Sequence, residues 1–305
     1  KGILSLTLQV LFFYVMLISI LNFKYIGGFL MLKHIISHLK SQTPLIHCIT
    51  NYVTVNDVAN VLLACGGSPI MADDVKEVAE ITSICNGTII NIGTLNTRTI
   101  DAMLVAGKKA NELGHIVVLD PVGAGATKLR TETTLRLLKE IQFSVIKGNI
   151  SEIKTIYQGS GTTKGVDADI SDIVTENNID EAIALAKELS KKTNAVIAIT
   201  GAIDIIADSK KAYIIRNGHA MMSKITGTGC MLTAMIAAYC ATNTNDILEA
   251  TATAVSAMGL CGEIAYLQTQ KTNTGTSNFR MYLIDAISKL DDETLTGGCN
   301  IEIRE

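Results

Sequence analysis

From Pro44 onward the chain alternates short apolar runs with longer helical segments, and this alternation most constrains its fold. Several runs are apolar throughout, as expected when helices cover both faces of a sheet. Strands and helices that alternate through right-handed crossovers form a largely parallel sheet. The sequence therefore predicts an α/β fold with a mostly parallel central sheet between helical layers. The predicted strands are 45–49, 69–71, 88–92, 116–120, 144–147, 195–200, 203–207 and 212–215.

The predicted helices fall between these strands and fill the C-terminal third of the chain. The runs 203–207 and 212–215 are joined by a polar turn, so we expect an antiparallel hairpin on one edge of the sheet. Neither an internal repeat nor a long Pro/Ser-rich linker occurs, so residues 31–305 are predicted to form a single domain. The helices are predicted at 54–64, 74–85, 97–113, 131–141, 149–157, 179–192, 229–241, 246–268 and 279–290.

Residues 3–23 form an uncharged apolar stretch that is long enough to cross a bilayer. A membrane anchor, an uncleaved signal and upstream sequence outside the working protein are the three interpretations. The chain as given starts at Lys1, and Met31 begins a polar, helix-compatible segment. We favour the third interpretation and treat residues 1–30 as an N-terminal extension. We expect a cytoplasmic protein, with membrane association only if residues 3–23 are an anchor.

Composition argues against several classes of partner. Aromatic residues make up 5% of the chain and Trp is absent, which disfavours a surface for stacking bases. The net charge is −3 without a block of basic residues, so nucleic acid is not indicated as a partner. Seven cysteines are scattered without a CxxC pair, and five histidines without an HExxH pair. This pattern indicates reduced thiols in a cytosol and argues against a zinc site.

In open α/β sheets, ligands lie beyond the carboxyl ends of the strands, so the residues there define a candidate site. Asp120 ends the fourth predicted strand, at a DPVGAG stretch. A carboxylate there suits Mg²⁺, although Asp120 could instead cap the turn. A dinucleotide fingerprint is disfavoured because Lys128 occupies the place of its third glycine.

Asn149 and Glu152 are one helical turn apart on the same face. That spacing suits two groups that orient a hydrated metal ion, and it equally suits a helix start with a capping amide and a first-turn acid. From the spacing alone we favour the cap. Lys147, at the preceding strand end, could face an ATP phosphate as a point charge or could simply be solvated.

Residues 225–241 join a glycine-rich turn to a helix that is apolar on nearly every side and is therefore expected to be buried. Gly227 and Gly229 bracket Thr228 and allow a close backbone approach. The unpaired N–H groups of the helix start form a ready anion site. Cys230, whose thiol pKa we expect to be lowered there, is a candidate base. Equally open is a turn before a core helix, with Cys230 as a small hydrophobe.

Together these motifs resemble the hydroxyethylthiazole kinases, ribokinase-like enzymes of thiamine salvage. The resemblance runs from about residue 32 to about residue 290 in unbroken order, and residues 1–30 lie outside it. It implies a ribokinase-like three-layer α/β/α domain. It also implies ATP- and Mg²⁺-dependent phosphorylation of the hydroxyl of 4-methyl-5-(2-hydroxyethyl)thiazole. The motifs are LIHCITNYVTVNDVANVLLACGGSPIMA (45–72), NIGTL (91–95), VLDPVGAGAT (118–127), KGNISEI (147–153), VIAITG (196–201) and ITGTGC (225–230).

The resemblance also implies the residues that bind the two substrates. Met71 would line the thiazole pocket, Gly227 would contact the substrate, and Asn51 would also bind it. Lys147, which stands where family members often have the Arg of an RGN motif, would hold ATP together with Thr200. A Lys cannot copy the bidentate grip of an Arg, so ATP binding here depends on a point charge.

For the metal and the base, the resemblance implies a second group of residues. Asp120, Asn149 and Glu152 would organise Mg²⁺ and its waters. Cys230 would be the catalytic base, in the place where most ribokinase-like kinases carry an Asp. The anion hole beside it would consist of Gly227, Thr228 and Gly229.

The resemblance further implies a homotrimer in which each thiazole site lies between neighbouring subunits. Two alternatives to the thiazole kinase stay open from the sequence. The first is a kinase of hydroxymethylpyrimidine or another small alcohol in the same superfamily. The second, more remote, is a membrane-anchored, non-catalytic binder of nucleotide or thiazole, suggested by residues 3–23 and by Cys230 in place of an Asp.

Overall fold

One sheet of nine strands lies at the centre of the described residues, which are 34–159 and 173–305 of a computed structural model. The strands are β1 (Leu45–Ile49), β2 (Ser68–Ile70), β3 (Gly87–Asn91), β4 (Ile116–Asp120), β5 (Val145–Gly148), β6 (Val196–Ile199), β7 (Asp204–Ala207), β8 (Ala212–Ile215) and β9 (Ile301–Arg304). Their order is β2-β1-β3-β4-β5-β6-β7-β8-β9. Strands β1 to β6 are parallel, and β7, β8 and β9 each pair antiparallel with the strand before them.

All eight predicted strands are present, each within one residue of its predicted bounds. The ninth strand, β9, was not predicted. It pairs with β8 and occupies the edge of the sheet, so the prediction that the β7–β8 hairpin lies on the edge is wrong. The four residues of β9, IEIR, do not form an apolar run like the predicted strands, and their strand conformation depends on pairing such as Tyr213 with Ile303.

Helices cover both faces of this sheet. Within the described ranges the α-helices are α1 (Ile35–Gln42), α2 (Val55–Cys65), α3 (Val78–Ile84), α4 (Thr97–Glu112), α5 (Lys128–Glu140), α6 (Ile150–Gln158), α7 (Ile179–Thr193), α8 (Thr228–Thr242), α9 (Ile247–Thr272), α10 (Thr276–Lys289) and α11 (Asp292–Gly298). One hydrophobic core joins the sheet to α1, α2 and α8–α11, and the other joins it to α3–α7. The predicted three-layer α/β/α fold is confirmed.

Local hydrogen bonds explain where the helix bounds differ from prediction. Helix α5 begins three residues early because the Thr127 hydroxyl accepts a hydrogen bond from the Arg130 N–H at 3.3 Å and caps the helix. Helix α3 begins later than predicted because the Asp74 carboxylate accepts from the Lys76 N–H at 3.0 Å and holds a turn there. Helix α11 was not predicted; the Asp291 side chain caps it.

Helix α8 is the helix that the sequence predicted to be buried, and every residue from Met231 to Cys240 is buried. It packs against β1, β3 and β4 in the layer that also holds α2 and α9. Burying α8 in this way carries its first turn to the carboxyl edge of the parallel strands, where the predicted site residues lie.

The predicted N-terminal extension, residues 1–30 with the apolar stretch 3–23, lies outside the described residues. Within the described ranges, α9 is long and apolar enough to span a membrane, but 78% of its most apolar window is buried inside the fold. That burial is typical of a core helix. The assignment of residues 31–305 to one domain stays a prediction.

Candidate active site

The carboxyl ends of the parallel strands gather the polar residues of the candidate site at one edge of the sheet. Asn51 follows β1, Asn91 ends β3 and Asp120 ends β4. Lys147 lies in β5 and Thr200 follows β6. The β3–β4 register pairs Asn91 directly with Asp120, so two of these groups are neighbours by backbone geometry alone.

Asp120 and Lys147 form a buried ion pair, with Nζ 3.4 Å from Oδ1. The other carboxylate oxygen, Oδ2, accepts hydrogen bonds from Asn91 Nδ2 at 2.8 Å and from Thr233 Oγ1 at 2.7 Å. Burial alone would lower the pKa of Lys147, but the negative charges around it, first Asp120, outweigh that effect and raise the pKa. Lys147 is therefore a permanent cation held inside the protein.

The glycines at the start of α8 permit close approaches that other residues would block. A Cβ atom on Gly229 would lie 2.9 Å from Lys147 Nζ, so the ammonium sits directly beside the first turn of the helix. Gly227 precedes the helix with φ of +93°, and a Cβ atom there would lie 2.8 Å from Thr54 Cγ2. Thr228 begins the helix between them. The predicted close approach at these glycines is confirmed, and Gly227 in addition adopts a positive φ that favours glycine.

Cys230 lies in the first turn of α8 and is half-buried. Its Sγ accepts hydrogen bonds from Asn51 Nδ2 at 3.2 Å and from Asn91 Nδ2 at 3.4 Å. Burial, and then the Asp120 carboxylate, raise the thiol pKa, although Lys147 opposes the shift. The prediction of a lowered pKa is therefore wrong, because burial and a nearby anion outweigh the helix start.

Asn149 and Glu152 form a capping box at the start of α6. Asn149 Oδ1 accepts from the Glu152 N–H at 2.9 Å, and Glu152 Oε2 accepts from the Asn149 N–H at 2.8 Å. The capping interpretation that the spacing favoured is confirmed. Glu152 also reaches the loop after β4, where Oε1 accepts from the Gly123 N–H at 2.7 Å. Burial, and then the charge of Asp120, raise the pKa of Glu152 to about 7.

Met71 and Thr200 lie on either side of this cluster. Met71 follows β2, the outermost parallel strand, and is exposed. Thr200 follows β6, and its N–H donates to the Gly148 carbonyl at 2.9 Å. Since the strand order runs from β2 through β1, β3, β4 and β5 to β6, the two residues mark opposite ends of one row of strand ends.

Two residues of the cluster, Asn91 and Thr233, were missing from the predicted site. A signal for each was present in the sequence. Asn91 is a polar residue that ends an apolar strand, as Asp120 does, and Thr233 is a polar residue in a helix that is otherwise nearly all apolar. The sequence alone does not show the strand register and the helix packing that place the Asn91 and Thr233 side chains against Asp120.

Arg130 joins two of the loops that form this edge. Its guanidinium donates to the Val122 carbonyl at 2.6 Å and to the Gly93 carbonyl at 2.7 Å. These loops follow β4 and β3. In residues 34–159 and 173–305, no group of three or more His, Cys, Asp or Glu side chains is close enough to hold a metal ion. A metal here would therefore depend on one or two carboxylates together with other oxygens.

The strand order and the helices on both faces of the sheet define a class of protein, those with the ribokinase-like fold. A ribokinase-like superfamily protein from Enterococcus faecalis shares the fold with a TM-score of 0.53 at 11% identity, over 82% of this chain and 88% of that one. A pyridoxal kinase from Staphylococcus aureus, solved with AMP-PCP and pyridoxal, shares it with a TM-score of 0.55 at 14% identity, over 85% and 97%. Identities this low support the fold alone.

Closer similarity identifies the family within that class. The Hydroxyethylthiazole kinase family profile matches residues 36–293. A hydroxyethylthiazole kinase from Clostridium acetobutylicum is 60% identical over 89% of this chain and 99% of its own length. One from Clostridium tetani is 54% identical over 84% and 92%. The structure of the Pyrococcus horikoshii OT3 protein of that name has a TM-score of 0.79 at 33% identity, covering 90% and 99%. The chain belongs to the hydroxyethylthiazole kinase family, which confirms the resemblance and makes it a kinase.

Proposed function

We propose that the protein transfers the γ-phosphoryl group of ATP to the hydroxyl of 4-methyl-5-(2-hydroxyethyl)thiazole, as a step of thiamine salvage. The observation that carries this proposal is the convergence of Asp120, Lys147 and Cys230 on the glycine-lined start of α8. The substrate is inferred from the relatives, whose name specifies hydroxyethylthiazole.

The start of α8 and Lys147 suit the negative charge of a transferred phosphoryl group. The first N–H groups of a helix point outward and carry its positive dipole end, so Gly227, Thr228 and Gly229 would form an anion hole. Lys147 adds a fixed positive charge beside Gly229. Phosphoryl transfer depends chiefly on positioning and charge neutralisation, and these groups supply both.

Cys230 would face the substrate hydroxyl and take its proton during the transfer. Only the thiolate form of Cys230 can accept that proton, and burial, followed by the Asp120 carboxylate, raises the thiol pKa and so keeps the thiolate a minor form. That suits a reaction whose loose transition state needs little help from a base. Cys230 therefore contributes as much to the position of the hydroxyl as to proton transfer.

Mg²⁺ fits the charges of this site. Asp120 and Glu152 are two buried carboxylates near one buried ammonium, Lys147, and burial, followed by the charge of Asp120, raises the pKa of Glu152. Asp120, Glu152 and Asn149 would hold the ion, with waters between, since both Glu152 oxygens accept backbone N–H groups. When bound, Mg²⁺ would neutralise charge on the β- and γ-phosphate oxygens.

The two substrates would occupy opposite ends of the row of strand ends. The thiazole would lie at the β2–β1 side, against Met71, Asn51 and Gly227. ATP would lie at the β5–β6 side, with Lys147 and Thr200 on its phosphates. This assignment leaves the reacting groups over β3 and β4, where Cys230 and Asp120 lie.

We also infer a cytoplasmic homotrimer with each thiazole site between neighbouring subunits. Support for a partner at that side comes from exposed apolar residues in the loops after β1 and β2, where Tyr52 is 79% exposed, Val53 58% and Met71 36%. Exposed apolar groups clustered beside a site are typical of an interface. All seven cysteines are free thiols, as in a reducing compartment.

Substrate-dependent ADP release tests the proposed reaction. We expect turnover with the thiazole alcohol and much less with hydroxymethylpyrimidine, in the presence of Mg²⁺. A preference for the pyrimidine alcohol would overturn the substrate assignment, and release with neither would overturn the alcohol-kinase activity. The same assay on protein that starts at Met31, compared with the full chain after membrane fractionation, tests the anchored-binder alternative.

A further inference from the structure

Asn91 is buried with 1% of its surface exposed, and all its hydrogen-bonding positions are used. Its Oδ1 accepts from the Gly93 N–H at 2.9 Å and from Asn51 Nδ2 at 3.0 Å. Its Nδ2 donates to Asp120 Oδ2 at 2.8 Å and to Cys230 Sγ at 3.4 Å. One side chain thus touches the carboxylate at the end of β4 and the thiol at the start of α8.

The orientation of this amide follows from its partners. A backbone N–H can only donate, so the group that faces Gly93 must be the oxygen, and Nδ2 must face Asp120 and Cys230. The same reasoning orients Asn51, whose Oδ1 accepts from the Thr54 N–H at 3.2 Å. Cys230 Sγ therefore meets two N–H donors from two fixed amides, and the Thr54 side chain also hydrogen-bonds the thiol.

Two donors on one sulfur restrict where its proton can point. Neither Nδ2 group accepts a hydrogen bond, so the S–H of Cys230 cannot be directed at Asn51 or Asn91. The proton, or the remaining lone pair of the thiolate, must lie away from them. The amides therefore fix the direction in which the thiol can exchange a proton, and the Asn91 amide is itself held by Asp120.

We propose that Asn91 is a positioning residue of the phosphoryl-transfer reaction. It holds Cys230 Sγ as a hydrogen-bond acceptor, so that the side of the sulfur away from the two amides faces the substrate hydroxyl. This inference rests on the proposed function. Asn91 acts through Cys230 and does not itself touch the reacting oxygen. Asp120, which holds the same Nδ2, keeps the amide from following the sulfur when the thiol ionises.

Two variants separate this role from a general effect on Asp120. Asn91→Leu removes a donor from Asp120 Oδ2 and a donor from Cys230 Sγ. Thr233→Val removes the other donor to the same carboxylate oxygen but leaves both sulfur contacts intact. Thr88→Val is the matched control for β3, because the Thr88 hydroxyl is buried without a hydrogen-bond partner and lies on the other face of the strand.

The first readout needs no kinase activity. The rate of Cys230 alkylation by iodoacetamide is measured against pH, with the modified peptide resolved by mass spectrometry. Loss of one N–H donor to the thiolate should slow alkylation about tenfold at a given pH in Asn91→Leu, a shift of about one pH unit. Thr233→Val and Thr88→Val should keep the wild-type profile. An unchanged profile in folded Asn91→Leu would overturn the proposal.

The second readout is the thiazole kinase reaction. Asn91→Leu should lower kcat about tenfold or more with little change in KM, and should lower it no further in a Cys230→Ala background. Equal losses in both backgrounds would contradict a role through Cys230. If Asn91→Leu does not fold, Asn91→Ser, whose short hydroxyl cannot reach both partners, replaces it in both assays. Absence of wild-type turnover would refute the proposed function and leave the alkylation test standing.

Discussion

Lys147 brings a positive charge into the carboxyl edge of the sheet, where its ammonium contacts Asp120 and lies beside Gly229. The charge is kept at all ordinary pH values because the surrounding anions raise its pKa. At the scale of the residue, this single group therefore links the proposed anion hole to the proposed metal site. Its removal would leave Asp120 as a buried anion without its cation.

We predict that Lys147→Met lowers kcat/KM about 100-fold or more, since a preorganised positive charge at the transferred phosphoryl group is lost. Lys128→Met is the matched control, because Lys128 is the same residue type in a solvated pair with Glu132 and its side chain is 86% exposed. Kinetics at varied ATP, with thermal unfolding of both variants, check the prediction. Equal kinetic effects of the two substitutions would remove Lys147 from the ATP site.

We predict that Cys230→Asp retains activity and that Cys230→Ala loses more of it. A carboxylate is a competent base at that position, and the reaction needs little from a base. Steady-state kcat for the thiazole alcohol measures both variants. If Cys230→Asp loses all kinase activity while Cys230→Ala keeps some, the thiol has a role other than that of a base.

The raised pKa of Glu152 predicts how the stability of the folded protein depends on pH. Its pKa rises from 4.5 to about 7 on folding, so between these values the folded protein binds more protons than the unfolded chain. The stability of the metal-free protein should therefore fall as pH rises through that window, by about 3 kcal/mol at most. Glu152→Gln should show a smaller fall, and it should lower turnover and raise the Mg²⁺ requirement.

Thermal unfolding in chelator at pH 5 and pH 8 measures the first effect. Asp204, whose pKa burial also raises to about 7, is present in both proteins, so the difference between them reports Glu152. A Mg²⁺ titration of activity measures the second effect. Identical Mg²⁺ titrations would exclude Glu152 from the metal site.

At the scale of the element, the start of α8 depends on a turn that only glycine fits. Gly227 has a positive φ, and a Cβ atom there would lie 2.8 Å from Cγ2 of Thr54, the residue just before α2. The turn thereby sets the separation between α8 and the loop after β1, which carries Asn51. A change at this turn should move Cys230 relative to its amide partners.

We predict that Gly227→Ala destabilises the protein by about 1 kcal/mol or more beyond Gly114→Ala. Both glycines have a positive φ, +93° and +69°, so both substitutions carry backbone strain. Only at Gly227 would the new Cβ meet a neighbour, since nothing lies within 4 Å at Gly114. Denaturant unfolding compares the two. Equal losses would show that the contact with Thr54 relaxes freely.

At the scale of the whole molecule, the exposed apolar loops beside Met71 predict association. We expect a particle of three times the 32.6 kDa chain mass by light scattering. Tyr52→Glu should dissociate it and raise KM for the thiazole alcohol, because a charge in an apolar interface is costly. Ile84→Glu is the control, because Ile84 is an exposed apolar residue at the end of α3, three residues before β3 begins, and so lies near the amino ends of the parallel strands. A monomeric wild type would contradict the trimer.

Much of the fold could be predicted because its signals are local. The strands are short apolar runs, and each of the eight predicted lies within one residue of its bounds. The strand β9 escaped prediction because its residues, IEIR, alternate apolar and charged positions and do not form an apolar run like the other strands. The helix α11 escaped because its seven residues, DETLTGG, contain a single large apolar side chain. For β9 the deciding interaction is its pairing with β8, which is not local.

By itself, the sequence determined the order of the elements up to α10, the burial of α8 and the row of polar residues at the strand ends. These follow from periodicity and from the general geometry of parallel sheets. Only the tertiary structure decided that Asn91 bridges Asp120 and Cys230, and that the Cys230 pKa is raised. The reason is physical: a pKa or a shared hydrogen bond depends on groups from separate strands and on their burial, and neither is encoded within one segment.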